Sequence, residues 1–240
     1  MHSLLILKFI LASVCFLCAS SAPFEITKCK ASDSKCLKSV TQMLLPKVVA
    51  GVPEYNIEPL DPVLLDKIDA STPNLKLILT ELQVKGLKDC TAKKIERNVE
   101  KSQLSVTLLC TVTAEGHYEM NGRLLVLPLE GNDKFKVNLN KAIFKVEASL
   151  SDITKDGKKY WNIKSWDHAY KLQEKSTVHF DNLFNGNKDL AKAAQEVIEG
   201  NGNAIIDEVG SPVIKAIITK IVDAVQKWFH AIPLEDLVLD

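Results

Sequence analysis

The chain has 240 residues, 46% of them hydrophobic and 25% charged, with 30 basic side chains against 30 acidic ones. That balance offers no basic field for a phosphate backbone, so nucleic acid is excluded as a partner. A chain of this length suits one domain once a leader is set aside.

The leader comes first. Residues 4–18 are apolar apart from Lys8 and Ser13, and Ala19, Ser20, Ser21 and Ala22 follow. This is the pattern of a secretory signal peptide cut after Ser21. The apolar run is short for a membrane span of ~20 residues. Residues 1–21 are therefore read as the leader and 22–240 as one soluble, extracellular domain. Lys8 leaves with the leader, so the mature chain carries one net negative charge.

Four cysteines remain, Cys29, Cys36, Cys90 and Cys110. An even number in a secreted chain points to disulfides, and four permit three pairings. Cys29–Cys36 is preferred, as a tight loop at the start of the first helix. A metal there is disfavoured, because no histidine lies near and no Cys-x-x-Cys occurs. Ser32 or Asp33 can cap the helix, which runs through Cys36, Leu37, Val40, Met43 and Leu44 at spacings of three and four. Pro46 disturbs it and Gly51 ends it. Residues 51–62 then hold Pro53, Pro59 and Pro62, which fix φ and remove donors, so a rigid extended connector is expected. Val63 to Ile68 suggests one more helical turn.

From about residue 75 the period becomes two. Leu82 to Ile95 and Leu104 to Ala114 read as strands joined by a turn near Asn98 to Lys101. A turn centred near position 100 sets Cys90 opposite Cys110, and opposed strand residues ~4.5–5.5 Å apart can be bridged. The alternative at this pair is two buried thiols. Asn121-Gly122 signals a hairpin. Leu124 to Leu129 reads as a buried strand ending at Pro128, with a turn at Gly131-Asn132-Asp133. Apolar residues then hold odd positions at Phe135, Val137 and Leu139, but even ones at Phe144, Val146, Ala148 and Leu150. A strand changes faces only with an extra residue, so a β-bulge is expected between Asn140 and Phe144. Asp156-Gly157 turns another hairpin, and Lys159 to Leu172 and Lys175 to Phe180 complete an antiparallel sheet with one apolar face.

The last third is helical. Lys188 to Glu199 is amphipathic and stops at Gly200-Asn201-Gly202. Ile205 to Phe229 follows the helical period, with a kink or break near Gly210-Ser211-Pro212. Its apolar arc is too wide to stay wet. The economical arrangement is α+β: the long C-terminal helix wrapped by a strongly curved antiparallel sheet, with a short N-terminal helix.

Two segments extend this reading. Cys29, Cys36, the helix ending in Leu44-Leu45-Pro46 and the proline connector form one. Phe180-Asp-Asn-Leu-Phe-Asn-Gly-Asn-Lys-Asp-Leu190, followed by the long amphipathic helix, forms the other. Together they resemble the juvenile-hormone-binding and takeout-like family of secreted arthropod carriers, in order and over nearly all of the mature chain. The resemblance implies a fold of the tubular lipid-binding type, with an apolar cavity between helix and sheet that binds a small lipophilic ligand such as a hormone-like terpenoid, a fatty acid or a quinone. The hormone-binding members of that family carry a second disulfide in the later part of the chain, whereas no cysteine follows Cys110 here, which favours the broader takeout-like group.

Binding without reaction is expected, and no cofactor is implied. The nucleophile-elbow, zincin, P-loop and dinucleotide motifs are missing. His117, His168, His179 and His230 are scattered and read as strand or helix-end residues, and Asp181 to Lys192 lacks the ligands of a calcium loop. Burying ~300 Å² of ligand hydrocarbon supplies roughly 7 kcal/mol before the costs of association. Val213, Ile217, Ile221 and Val225 share a helix face and are candidates for lining and for core alike; Phe135, Val137, Phe144, Tyr118 and Trp166 are the lining candidates on the sheet, with ordinary packing as the alternative. The partner is thus a lipophilic small molecule, and the protein is expected to be a monomer. A membrane- or lipoprotein-visiting lipid-transfer module, exposing Trp228, Phe229 and Ile232, is the alternative, as is a signalling or scaffold protein with a filled pocket.

Overall fold

A computed structural model describes residues 25–240; the leader lies outside them. The first helix, α1 (Ser34–Val49), starts at Asp33, whose side chain accepts from Cys36 N, and it continues through Pro46. Both disulfides are formed, Cys29–Cys36 and Cys90–Cys110. The proline segment is not extended throughout. Pro53–Tyr55 form a 3-10 turn, Asn56 takes the left-handed conformation, and Val52 bridges back to Ile57. Pro53 fits because its fixed φ suits a first helical position. Val63–Ile68 is no helical turn but belongs to strand β1 (Val63–Asp69), with Val63 and Leu65 buried and Leu64 exposed. The period of two wins there because β1 pairs with its neighbour along its length.

The sheet is built on two long strands, β4 (Gln103–Leu124) and β5 (Leu127–Lys155), joined at Leu125 and Val126. The expected turns at Asn121-Gly122 and Gly131–Asp133 do not occur; both segments stay in the ladder. Residues 124–129, expected as a buried strand, are the hairpin tip, and Val126 is exposed. Gly122 answers a close approach instead of a turn. Its φ is 136°, and a Cβ would lie 2.4 Å from Asn74 O.

The outer edge of β4 is shared end to end by β2 (Leu75–Lys85) and β3 (Thr91–Asn98), separated by a 3-10 turn at Leu87–Asp89. The single strand expected from Leu82 to Ile95 is therefore two. On the other side, β5 is shared by β6 (Lys158–Leu172) and β7 (Thr177–Phe180). Both changes of partner fall at one waist. There Cys90–Cys110 bridges the gap between β2 and β3, and Asp61 accepts from Gly86 N and Lys88 N. Across β4, residues 140 and 141 of β5 stand opposite Thr111 alone, which is the expected bulge. A second bulge doubles Glu81 and Leu82 of β2 opposite Gly116.

Bulges bend strands, and the bend here is large. On helix α3 (Gly202–Val209), Glu208 accepts from Leu125 N at the hairpin tip, while the neighbouring Asp207 meets the Tyr170 hydroxyl of β6. Through Phe144, Tyr170 is level with Leu108 of β4. A straight β4 would put that level roughly 50 Å from the tip. The sheet must therefore curl around the helices. It does not close, since its path ends at the edge strands β1 and β6.

Helix α4 (Ser211–Ala231) follows α3 after a break at Gly210, with Pro212 in its first turn. It approaches the edge strands β1 and β6 more closely than the central pair β4 and β5. Helix α2 (Lys188–Gly200) covers the free edge of β7, where Gln195 donates to Val178 O and accepts from Phe180 N. The proline segment holds the far end of α4: Tyr55 meets Trp228 edge-on, and Lys227 donates to Asn56 O. After a short helix, α5 (Leu234–Leu237), the chain returns to Cys29, and Asp240 pairs with Arg97, which lies over the Trp161 ring.

Candidate functional site

Helix α4 has two apolar stripes of different fate. Ile214, Ile218 and Val222 are buried, whereas Val213, Ile217, Ile221 and Val225, four residues apart, are only half-buried. The sheet shows the same incompleteness past the waist. Leu108, Phe144 and Tyr170 stand opposite one another across β4, β5 and β6, and Leu104, Ala148 and Trp166 form a parallel row. All but Ala148 are half-buried. A row that reaches α3 through Tyr170 faces the helices, so this inner surface is apolar and not packed solid.

On the other side of the waist lies an apolar cavity of about 90 Å³. Its helix wall comes from α3 and the start of α4, with Ile205, Val209, Val213 and Ile217, and its sheet wall includes Phe135 and Val137. Sites for drug-sized ligands run to ~300–1,000 Å³, so this space is a narrow one. Four of the residues proposed from sequence, Val213, Ile217, Phe135 and Val137, thus come together on it. Ile221 and Val225 lie further along α4, and Phe144 and Trp166 lie on the half-buried rows beyond the waist.

Tyr118 is not on the cavity wall. It is buried in the core, edge-on to Phe180, and its hydroxyl donates to Asp181 O at 2.5 Å. Burial, then the charges of Asp133 and Asp181, push its pKa well above the usual tyrosine value. Burial also raises Tyr170, with Asp207 adding to the effect. Trp228, Phe229 and Ile232, expected to be exposed in a membrane-visiting module, are buried. They pack against neighbours such as Tyr55 and Trp161 and so cannot anchor the protein in lipid as they stand.

The polar groups near the helices are few. Asn162, Gln226 and His230 form a network between β6 and α4, in which Gln226 also accepts from Ile163 N. A larger depression of about 550 Å³ sits outside the wrap near the hairpin tip, lined by Asn74, Asn121, Arg123, Glu130 and Phe184 among others. It is open and mixed in polarity, unlike the interior space. Among the described residues no group of three His, Cys, Asp or Glu side chains could hold a metal ion, and no helix is long and apolar enough to cross a membrane.

A long helix hung between the edges of a curled, unclosed sheet, over an apolar space, defines a class of fold. The chain belongs to the haemolymph juvenile hormone binding protein (JHBP) family, whose profile it matches over residues 7–239. Its structure is similar to the crystal structure of Takeout 1 from Epiphyas postvittana, with a TM-score of 0.86 and 27% identity, covering 89% of this chain and 99% of that one. Circadian clock-controlled protein daywake of Drosophila melanogaster is 26% identical over 235 residues, 89% of this chain and 87% of its own. Juvenile hormone-binding protein of Manduca sexta is 39% identical over a shorter stretch of 64 residues, 25% of this chain and 28% of its own.

Proposed function

We propose that the protein is a secreted, non-enzymatic carrier of one small lipophilic molecule, held between the helices and the inner face of the sheet. The observation that carries this reading is the uneven burial of α4. One apolar stripe is sealed, and the next stays half-open beside a cavity walled by apolar side chains. Apolar surface left unsealed inside a fold forgoes stabilisation of ~25 cal/mol per Å², which a ligand would recover. Such a space suits a terpenoid, a fatty acid or a quinone. Membership of the family supports the same reading, as does the name of the Manduca sexta relative. The two disulfides and the apolar leader fit an extracellular setting.

Native mass spectrometry of the secreted protein, followed by solvent extraction, tests this directly. A co-purifying lipophilic molecule is expected, lost from an Ile217→Trp variant whose added bulk fills the cavity. Circular dichroism checks that this variant is folded. Repeated recovery of an empty protein that ignores terpenoids, fatty acids and quinones would favour a scaffold with no cargo.

A further inference from the structure

The inner face of β6 carries an imidazole between two larger aromatic rings. Trp166, His168 and Tyr170 alternate with the exposed Asp167 and Ala169, and no bulge interrupts β6 between positions 166 and 172. They therefore share a face, and the Tyr170 hydroxyl, 3.2 Å from Asp207 Oδ1 and 3.5 Å from Ile206 O, shows that this face looks toward the helices. Across the ladder His168 stands beside Val146, which in turn stands beside Val106. Its ring packs against Trp166 at 5.8 Å between centroids. Among the described residues neither of its ring nitrogens has a hydrogen-bond partner.

Two fixed points locate His168 along the helices. Tyr170 meets α3 at Ile206, and Ile163 N donates to Gln226 Oε1 at 2.7 Å. Between them the strand advances ~23 Å and the helical segment ~30 Å, in opposite directions. Two steps from Tyr170, His168 therefore comes level with about residue 212. That level is the first turn of α4, next to Val213, which lines the cavity across the waist; His168 itself faces the half-buried rows and not that cavity's wall.

We infer that His168 is the specificity-determining polar contact of this carrier, donating a ring N–H to a single acceptor oxygen on an otherwise apolar cargo. An ester, ketone or quinone carbonyl has that chemistry, whereas a plain hydrocarbon has none. A polar group on an apolar wall gains most from a partner that water supplies poorly. The contact also fixes which way round a long molecule lies. This inference rests on the carrier reading and narrows it to a cargo class.

The test is displacement of a fluorescent apolar probe by a methyl ester, a methyl ketone and an n-alkane of matched length. The probes differ in their transfer from water, so the quantity read is the change between wild type and variant for each. His168→Leu is expected to weaken the ester and ketone by roughly three- to tenfold, the span of one neutral hydrogen bond. The alkane should be unchanged or slightly tighter. His168→Gln, which keeps an N–H donor, should restore part of the loss. Equal effects of His168→Leu on all three probes would overturn the inference and leave the carrier intact. Failure of every probe to bind the wild type would overturn both.

Discussion

At Tyr118 one hydroxyl ties three segments. It donates to Asp181 O, its ring meets Phe180, and its Oη fills the space beside Gly131, where a Cβ would come within 2.4 Å. Tyr118→Phe removes a part-buried hydrogen bond to Asp181 O, at a cost of about 0.5–1.5 kcal/mol in urea unfolding. Gly131→Ala pushes the same hydroxyl away, so its cost should shrink in the Tyr118→Phe background, and a double-mutant cycle measures that coupling. The same tyrosine sets an alkaline limit. Its pKa is raised in the fold, mainly by burial, above the ordinary value of 10.0. Its neutral form is therefore favoured by folding, and this contribution is complete below about pH 10. Above that the unfolded chain gives up its proton first, and stability falls as pH rises. Urea midpoints between pH 9 and 11 should drop less steeply for Tyr118→Phe than for wild type. Equal slopes would place the alkaline loss on other groups, such as Tyr55 and Tyr170.

At the scale of elements the waist matters most, because both outer edges of the sheet change strand there. Cys90–Cys110 joins the start of β3 to the middle of β4, closing a separation of 20 residues. Chain entropy for a loop of that size gives about 3 kcal/mol, so Cys90→Ser with Cys110→Ser should lower unfolding stability by about that much. Urea titrations with and without reductant read the loss. Much of this layout was legible in the sequence. The shift of apolar residues from odd to even positions after Leu139 required the bulge, and opposed numbering about position 100 placed Cys90 against Cys110. The continuity of β4 and β5 was hidden, because Asn121-Gly122 and Gly131-Asn132 carry turn residues for another reason: a neighbouring backbone or ring sits where a side chain would be. Gly122→Ala tests this. Its Cβ meets Asn74 O in a backbone conformation with φ of 136°, so destabilisation of at least ~1 kcal/mol is expected, more than Gly-to-Ala costs in an open turn. The site was half-legible. The apolar stripe of Val213, Ile217, Ile221 and Val225 stands out by spacing, yet Ile214, Ile218 and Val222 look the same to any pattern. Which stripe is sealed depends on what α4 packs against, β1 and β6 above all, and no spacing shows that. His168 looks isolated by spacing alone, and only its alternation with Trp166 and Tyr170 sets it on an inner face.

For the molecule as a whole, the cavity is smaller than the cargo proposed for it, at about 90 Å³. A molecule of some twenty heavy atoms must therefore spread along the half-buried rows past the waist, from Val213 and Ile217 toward Ile221, Phe144 and Trp166. Space can be gained where α3 meets α4, because the break at Gly210 interrupts helical hydrogen bonding, and α4 rests on the edge strands instead of the central pair. Ligand binding should then couple to stability and to local opening together. A ligand at a hundred times its Kd adds about 2.7 kcal/mol to unfolding, through mass action alone. Hydrogen exchange adds the location: amides of α3, the first turns of α4 and β6 should slow on addition of a long-chain ketone, and those of α1 and β3 much less. In Ile217→Trp the slowing should vanish, while the exchange pattern of the empty protein persists. Uniform slowing across the chain would mean that the cargo reports only global stability. No slowing, with binding shown by probe displacement, would place the cargo outside the wrap, in the open groove by Asn74 and Phe184.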